Sequence, residues 1–106
     1  MNKTKIKELL KKEEEFHQRL GDELLSSNKS LAFFEVSMAQ AFEGAQVLIE
    51  KLSKLDCDIS EKFEELADMT KKNRDANPFN SPSWNYHHAG YIAYIEAAII
   101  VRSYGE

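Results

Sequence analysis

Apolar residues recur at helical spacing along most of this chain, and no segment shows the strict alternation of a strand. In residues 3–26 they lie three or four positions apart and share one face: Ile6, Leu9, Leu10, Phe16, Leu20 and Leu24. Gly21 favours a kink in this first helix, because glycine is a poor helix former. The segment "SSNKS" then supplies a break, with Asn28 as the predicted N-cap of the next helix.

Residues 29–55 carry the strongest helical pattern. Their apolar positions alternate steps of 3 and 4 and form a heptad seam: Leu31, Phe34, Met38, Ala41, Ala45, Leu48, Leu52 and Leu55. Phe33, Phe42 and Ile49 widen the stripe, which indicates contact with several neighbouring helices. The opposite side is expected to face water, and its members are Glu35, Glu43, Gln46 and Glu50.

Two further helices are predicted over residues 59–74 and 82–104. Asp58 is the expected cap of the third helix, and Ser81 followed by Pro82 begins the fourth. The sequence therefore predicts an all-α fold, a compact four-helix bundle with mostly antiparallel neighbours, in one domain spanning 1–106.

The fourth helix is apolar on nearly all sides between Ala89 and Val101. A helix of this kind either occupies the centre of a bundle or is covered by another chain. Its small residues, Gly90, Ala93 and Ala97, would admit a close neighbour. We therefore expect a homodimer that involves the 82–104 helix.

Composition limits the cellular setting and the kinds of partner. The net charge is −4, and the segment from Asp56 to Asp68 holds six acids and one lysine, so direct nucleic-acid binding, which needs a basic face, is not expected. A single cysteine, Cys57, fits a reducing cytosol. The charged N-terminal segment does not resemble a signal peptide, and no segment is long and apolar enough to cross a membrane. The expected location is the cytoplasm.

Metal chemistry is the alternative that the sequence leaves open. Glu14 and His17 have the Glu-x-x-His spacing of di-iron carboxylate bundles, and Glu96 stands alone on an apolar helix as a further carboxylate. Without a metal, Glu14 would lie in water and His17 at the edge of the apolar face. A dimer would have to supply the second Glu-x-x-His motif.

The adjacent His87 and His88 are weaker metal candidates. They point about 100° apart on one helix, so each would need a ligand from another segment, such as Cys57 or Asp58. His88 is expected to face inward as a hydrogen-bonded core residue, and His87 to be more exposed. Zinc or iron is therefore a candidate cofactor only in this alternative, and no cofactor is otherwise expected.

The preferred interpretation is a small acidic protein-binding module without enzymatic activity, because no phosphate loop or nucleophile motif occurs. Two surfaces are candidates for partner contact. One is the acidic face of the third helix, which comprises Glu61, Glu64, Glu65 and Asp68. The other is the entrance to the fourth helix, with Phe79, Trp84 and His87. These aromatic residues either close the end of the bundle or anchor a partner.

Carboxylates at helical spacing can imitate a row of phosphates, as in some phage proteins that block host nucleases. The sequence therefore predicts an inhibitor or regulator whose protein partner has a basic surface. The alternative function is a metal-binding bundle protein, or an enzyme, whose site is completed across a dimer.

Overall fold

Four α-helices form the regular structure of residues 1–105, which are the residues that a computed structural model of the chain describes. They are α1 (Lys3–Leu24), α2 (Lys29–Leu52), α3 (Ile59–Asp75) and α4 (Pro82–Gly105). The all-α prediction is confirmed. The first two helices end slightly earlier than predicted, at Leu24 and Leu52.

The four helices form a compact bundle of two hairpins, α1 with α2 and α3 with α4, joined mainly by the contact between α2 and α4. Lys7 near the start of α1 pairs with Glu50 near the end of α2 at 2.5 Å. Arg102 near the end of α4 pairs with Glu64 near the start of α3. Neighbours within each hairpin are therefore antiparallel, as predicted.

Side-chain caps set the starts of α2, α3 and α4. Asn28, Asp58 and Ser81 each accept a hydrogen bond from the backbone N–H three positions further on, at 3.1, 3.1 and 3.2 Å. Each bond satisfies an N–H group that has no partner within its helix. The three predicted helix starts are confirmed. Among residues 1–105, no helix is long and apolar enough to span a bilayer.

The helices contribute side chains of different size to the core. The largest fully buried side chains come from α1, α2 and α3: Ile6, Leu10, Phe42, Ile49 and Phe63. The fourth helix contributes mostly small residues to the same cluster, including Ala89, Ala93 and Ala97. The stripe of Gly90, Ala93 and Ala97 is thus buried within the chain's own bundle and is not available to a second copy.

The buried face of α2 is rotated from the predicted seam. Phe42 and Ile49 are fully buried, whereas Leu31 and Leu55 are exposed and Leu48 is half-buried. The reason is that α2 packs against both α1 and α4, so the centre of its buried face lies between two neighbours. The expectation that Glu35 faces water is wrong, since this residue is only 8% exposed.

Gly21 allows a close approach between α1 and α2. The helix continues through this position, so no break occurs where a kink was expected. A Cβ atom at Gly21 would lie 2.7 Å from Cγ2 of Val36 and 3.2 Å from the carbonyl oxygen of Ala32. Glycine is therefore needed here because there is no room for a side chain.

Replacing Gly21 and Gly44 with alanine tests this close contact. A Cβ at Gly44 meets nothing within 4 Å, so Gly44→Ala should stabilise the protein by about 0.5–1 kcal/mol through helix propensity. Gly21→Ala gains the same propensity but overpacks the α1–α2 contact, which typically costs about 1–3 kcal/mol. Denaturant unfolding should therefore rank Gly21→Ala clearly below Gly44→Ala. Equal stability of the two variants would contradict the close contact.

Candidate functional site

The proposed metal-ligating residues fall into separate parts of the bundle. Cys57 lies beside Val101 and Arg102, near the end of α4, and its thiol donates to the carbonyl oxygen of Leu52 at 3.8 Å. His87 and His88 lie near the start of the same helix. The hypothesis that Cys57 or Asp58 completes a site with these histidines is wrong, because the antiparallel α3–α4 hairpin holds them at opposite ends.

His17 is the centre of a buried polar cluster that joins α1, α2 and α4. Its Nδ1 atom lies 2.5 Å from a carboxylate oxygen of Glu35, and its Nε2 atom lies 3.5 Å from Glu13. The ring also stacks on Phe42, with centroids 5.7 Å apart. The side chains of His17 and Glu35 are only 13% and 11% exposed, so this ion pair is largely shielded from water.

Glu14, the predicted partner of His17, does something else. Its carboxylate accepts a hydrogen bond from Nε2 of Gln46 at 2.7 Å, which ties α1 to α2. Glu13 contacts His17 instead, since a residue four positions back shares a helical face as readily as one three back. Glu14 thus contacts Gln46 while Glu13 and Glu35 contact His17, and the sequence reasoning missed Glu13 and Glu35.

Glu96 of α4 belongs to the same cluster. Burial raises the pKa of this carboxyl group, the negative charge of Glu13 raises it further, and the positive charge of His17 lowers it. Carboxyl groups of Glu13 and Glu35 contact the imidazole, and that of Glu96 lies near enough to feel its charge. We name Glu13, His17, Glu35 and Glu96 the His17 cluster.

The His17 cluster has the geometry of an ion-pair network. Both ring nitrogens of His17 face carboxylate oxygens, so neither nitrogen points to a vacant position. Within residues 1–105 no group of three or more His, Cys, Asp or Glu side chains has an arrangement suited to a metal ion. The cluster therefore links three helices electrostatically.

A second polar cluster lies where α3 ends and α4 begins. The Arg74 guanidinium donates to Nδ1 of His88 at 3.1 Å, with its carbon atom 5.6 Å from the ring centroid of Trp84 and 5.1 Å from that of Tyr91. Trp84 and His88 stack at 4.6 Å. Burial, and secondly the charge of Arg74, lowers the pKa of His88, so the imidazole is held neutral as an acceptor.

Phe79 extends this cluster into water. Its ring meets Trp84 edge-on at 4.8 Å, yet 81% of the residue is exposed. Of the three predicted contact residues at the entrance to α4, Trp84 is thus half-buried and structural, while Phe79 is available. His87 lies apart from both, in a cleft of about 120 Å³ between α2, α3 and α4, beside Gln40 and Tyr94.

The acidic face of α3 lies on the outside of the bundle, opposite Phe63 and Ala67. Glu61, Glu65 and Asp68 are exposed. Glu64 is half-buried and pairs with Arg102, and Lys62 approaches Glu65 at 3.5 Å. The face thus keeps three exposed carboxylates, and we call Glu61, Glu65 and Asp68 the acidic ridge.

Comparison of the chain with protein-family models, with curated proteins and with solved structures gave no match.

A double-mutant cycle tests the buried pair in the His17 cluster. His17→Phe retains the aromatic contact with Phe42 and removes both nitrogens, and Glu35→Leu removes the carboxylate. Each single change should cost about 1–3 kcal/mol of unfolding free energy, because it leaves a buried polar group without its partner. The double variant should be more stable than the summed losses imply, by about 1–3 kcal/mol.

The exposed pair of Lys62 and Glu65 is the matched control, and its coupling should stay below about 1 kcal/mol. Equal coupling in both cycles would show that the His17 pair is not shielded. Stoichiometric zinc or iron in the purified protein, lost with His17→Phe, would contradict the ion-pair interpretation outright.

The pH dependence of stability tests the environment of Glu96. Folding raises the pKa of Glu96. The contribution of this residue to stability is therefore fully present below the pKa that Glu96 has in the unfolded chain, and it is lost as the pH rises through the pKa that Glu96 has in the folded protein. Glu96→Gln should therefore raise the melting temperature at about pH 7, and this gain should shrink toward about pH 4.

Glu50→Gln is the control of opposite sign. Hydrogen bonds from Lys7 and then Lys3 lower the pKa of Glu50, so its contribution is present at neutral pH and is lost on acidification. This variant should be less stable than the wild type at neutral pH, and the two should converge in acid. A Glu96→Gln variant that follows the Glu50→Gln pattern would show that Glu96 is stabilised in its charged form.

Proposed function

We propose that this chain is a small acidic protein-binding module that inhibits or regulates a protein with a basic surface. The observation that carries the proposal is the acidic ridge, which lies on the outer face of α3 in a chain of net charge −4. Basic partners would be attracted to such a face, and the attraction would weaken with salt.

The spacing of the ridge supports a partner that ordinarily binds nucleic acid. From Glu61 to Asp68 the helix rises about 10 Å and presents three exposed carboxylates, or about one charge per 5 Å of axis. One strand of DNA carries a phosphate about every 3.4 Å along the same direction. A channel lined with Lys or Arg would meet a similar linear density of negative charge on either ligand.

The roles of the two histidine clusters favour binding over catalysis. His17 is held between Glu13 and Glu35, and His88 accepts from Arg74. Both rings therefore have structural partners that account for their positions. A general base instead needs a ring nitrogen within reach of a substrate proton.

Self-association through α4 is part of the proposal, although the small-residue stripe no longer supports it. The support that remains is Ile99, which is 56% exposed on the side of α4 away from Ala97 and Val101. A dimer through this side would leave the acidic ridge on α3 accessible to a partner.

Charge reversal of the ridge tests the proposed function. The triple variant Glu61→Lys, Glu65→Lys and Asp68→Lys should lose capture of the partner from native lysate, as measured by affinity purification and mass spectrometry. Glu64 is left unchanged because its pair with Arg102 joins α3 to α4. Wild-type capture should also weaken as the salt concentration rises.

A control variant separates ridge-specific loss from a change in net charge. Glu15→Lys, Glu23→Lys and Glu43→Lys alter the net charge by the same amount at exposed positions on α1 and α2. This variant should still capture the partner, and circular dichroism should show that both variants remain helical. Capture that survives reversal of the ridge, or that is lost equally in the control, would disprove the ridge as the contact surface.

A further inference from the structure

Three adjoining depressions run around the first turns of α2 at the end of the bundle that holds the α1–α2 and α3–α4 connections. Their volumes are about 250, 260 and 340 Å³. The first and second share Lys29 and Phe33, and the second and third share Asn80 and Asn85. Neighbouring depressions thus share wall residues, and we call the three together the turn groove.

The turn groove is bordered by large apolar side chains that the fold leaves in water. Leu25, Leu31 and Phe33 line it and are 61%, 42% and 44% exposed. Phe79 stands beside it, since its partner Trp84 stacks on His88 in the wall of the third depression. Clustered exposed apolar residues of this kind mark interaction sites more often than isolated ones do.

The charge of this end of the bundle is opposite to that of the acidic ridge. Residues 18–34 and 71–88 hold five Lys or Arg against three Asp or Glu, whereas the rest of the chain holds nine against fifteen. Lys29 lines two of the three depressions. Among the described residues that line the depressions, one carboxylate occurs, that of Asp22, and it already accepts a hydrogen bond from Gln18 at 3.1 Å.

The helix ends reinforce this local charge. Both α2 and α4 begin at the turn groove, and neither has an acidic residue in its first turn. The positive ends of two helix dipoles therefore add to Lys29 in attracting negative charge. An apolar ligand with basic flanks would be repelled from the same position.

We propose that the turn groove is a docking site for a protein segment that presents large apolar side chains flanked by Asp or Glu. The apolar side chains enter the depressions beside Leu25, Leu31 and Phe33, and the flanking carboxylates face Lys29. This site does not depend on the acidic ridge, and it selects a partner of the opposite charge.

Selection from a phage-displayed library of random linear peptides tests the proposal on the full chain. The expected result is a set of peptides in which large apolar residues are flanked by Asp or Glu. Their affinity, measured by fluorescence anisotropy, should fall about tenfold with Phe33→Ala and about tenfold with Lys29→Glu. Neither change should unfold the protein, because alanine favours helix and an acid is favourable in the first turn of α2.

Matched substitutions elsewhere distinguish binding in the turn groove from nonspecific binding to exposed apolar or basic side chains. Val47→Ala truncates a comparably exposed apolar side chain further along α2, and Lys54→Glu reverses a lysine in the α2–α3 connection. Both should leave the affinity for the selected peptides unchanged. The charge-reversed ridge variant should also retain it, so failure of the proposed function and failure of this inference give different results.

Three outcomes would overturn the inference. One is a selection that enriches no sequence or enriches basic flanks. Another is binding that survives Phe33→Ala and Lys29→Glu, or that is lost equally with Val47→Ala. The third is a wild-type dimer, detected by sedimentation, that dissociates with Phe33→Ala, because the groove would then be covered by a second copy of the chain.

Discussion

The packing of small residues on α4 against the other three helices is the constraint on which the rest of the structure depends. Ala89, Ala93 and Ala97 are fully buried, so α4 contributes little side-chain volume to the core at these positions. The volume of the core is then supplied from the facing helices by residues such as Phe42 and Phe63. Because the small face is used inside, Ile99 on the opposite side of α4 is exposed, while Ile92, Tyr94 and Ile100 pack at the edge of the core.

The sequence was sufficient for the fold and for the starts of the helices, for reasons that lie in local chemistry. Asn28, Asp58 and Ser81 satisfy N–H groups three positions further on, a requirement that any helix start imposes. The sequence did not predict which residues form the centre of the buried face of α2. The predicted seam and the observed buried face share Met38 and Ala45, so the pattern alone does not decide between them.

The His17 cluster shows why the site was only partly visible in the sequence. His17 was identified by its Glu-x-x-His spacing with Glu14, and Glu96 because it interrupts an apolar helix. Glu35 was assigned to water, although it precedes the buried Phe42 by seven positions and therefore lies on the same face. That heptad relation was the signal that could have found it. The choice of Glu13 over Glu14 depends on which side of α1 faces α4, and this is a property of the packed bundle.

The buried pair of His17 and Glu35 helps to fix the register of α1 against α2. Apolar helices of similar length can slide or rotate against each other at modest cost, whereas His17 and Glu35 form a short contact only when α1 and α2 are correctly aligned. The same alignment brings Gly21 against Val36 and places Leu25 and Phe33 on either side of one depression. The polar pair lies about two helical turns from the α1–α2 connection and therefore helps to fix the shape of the turn groove beside that connection. A change that weakens the pair would loosen this surface before it unfolds the bundle, because the α3–α4 hairpin is held separately by Glu64 with Arg102 and by the stacking of Phe63 on Tyr94.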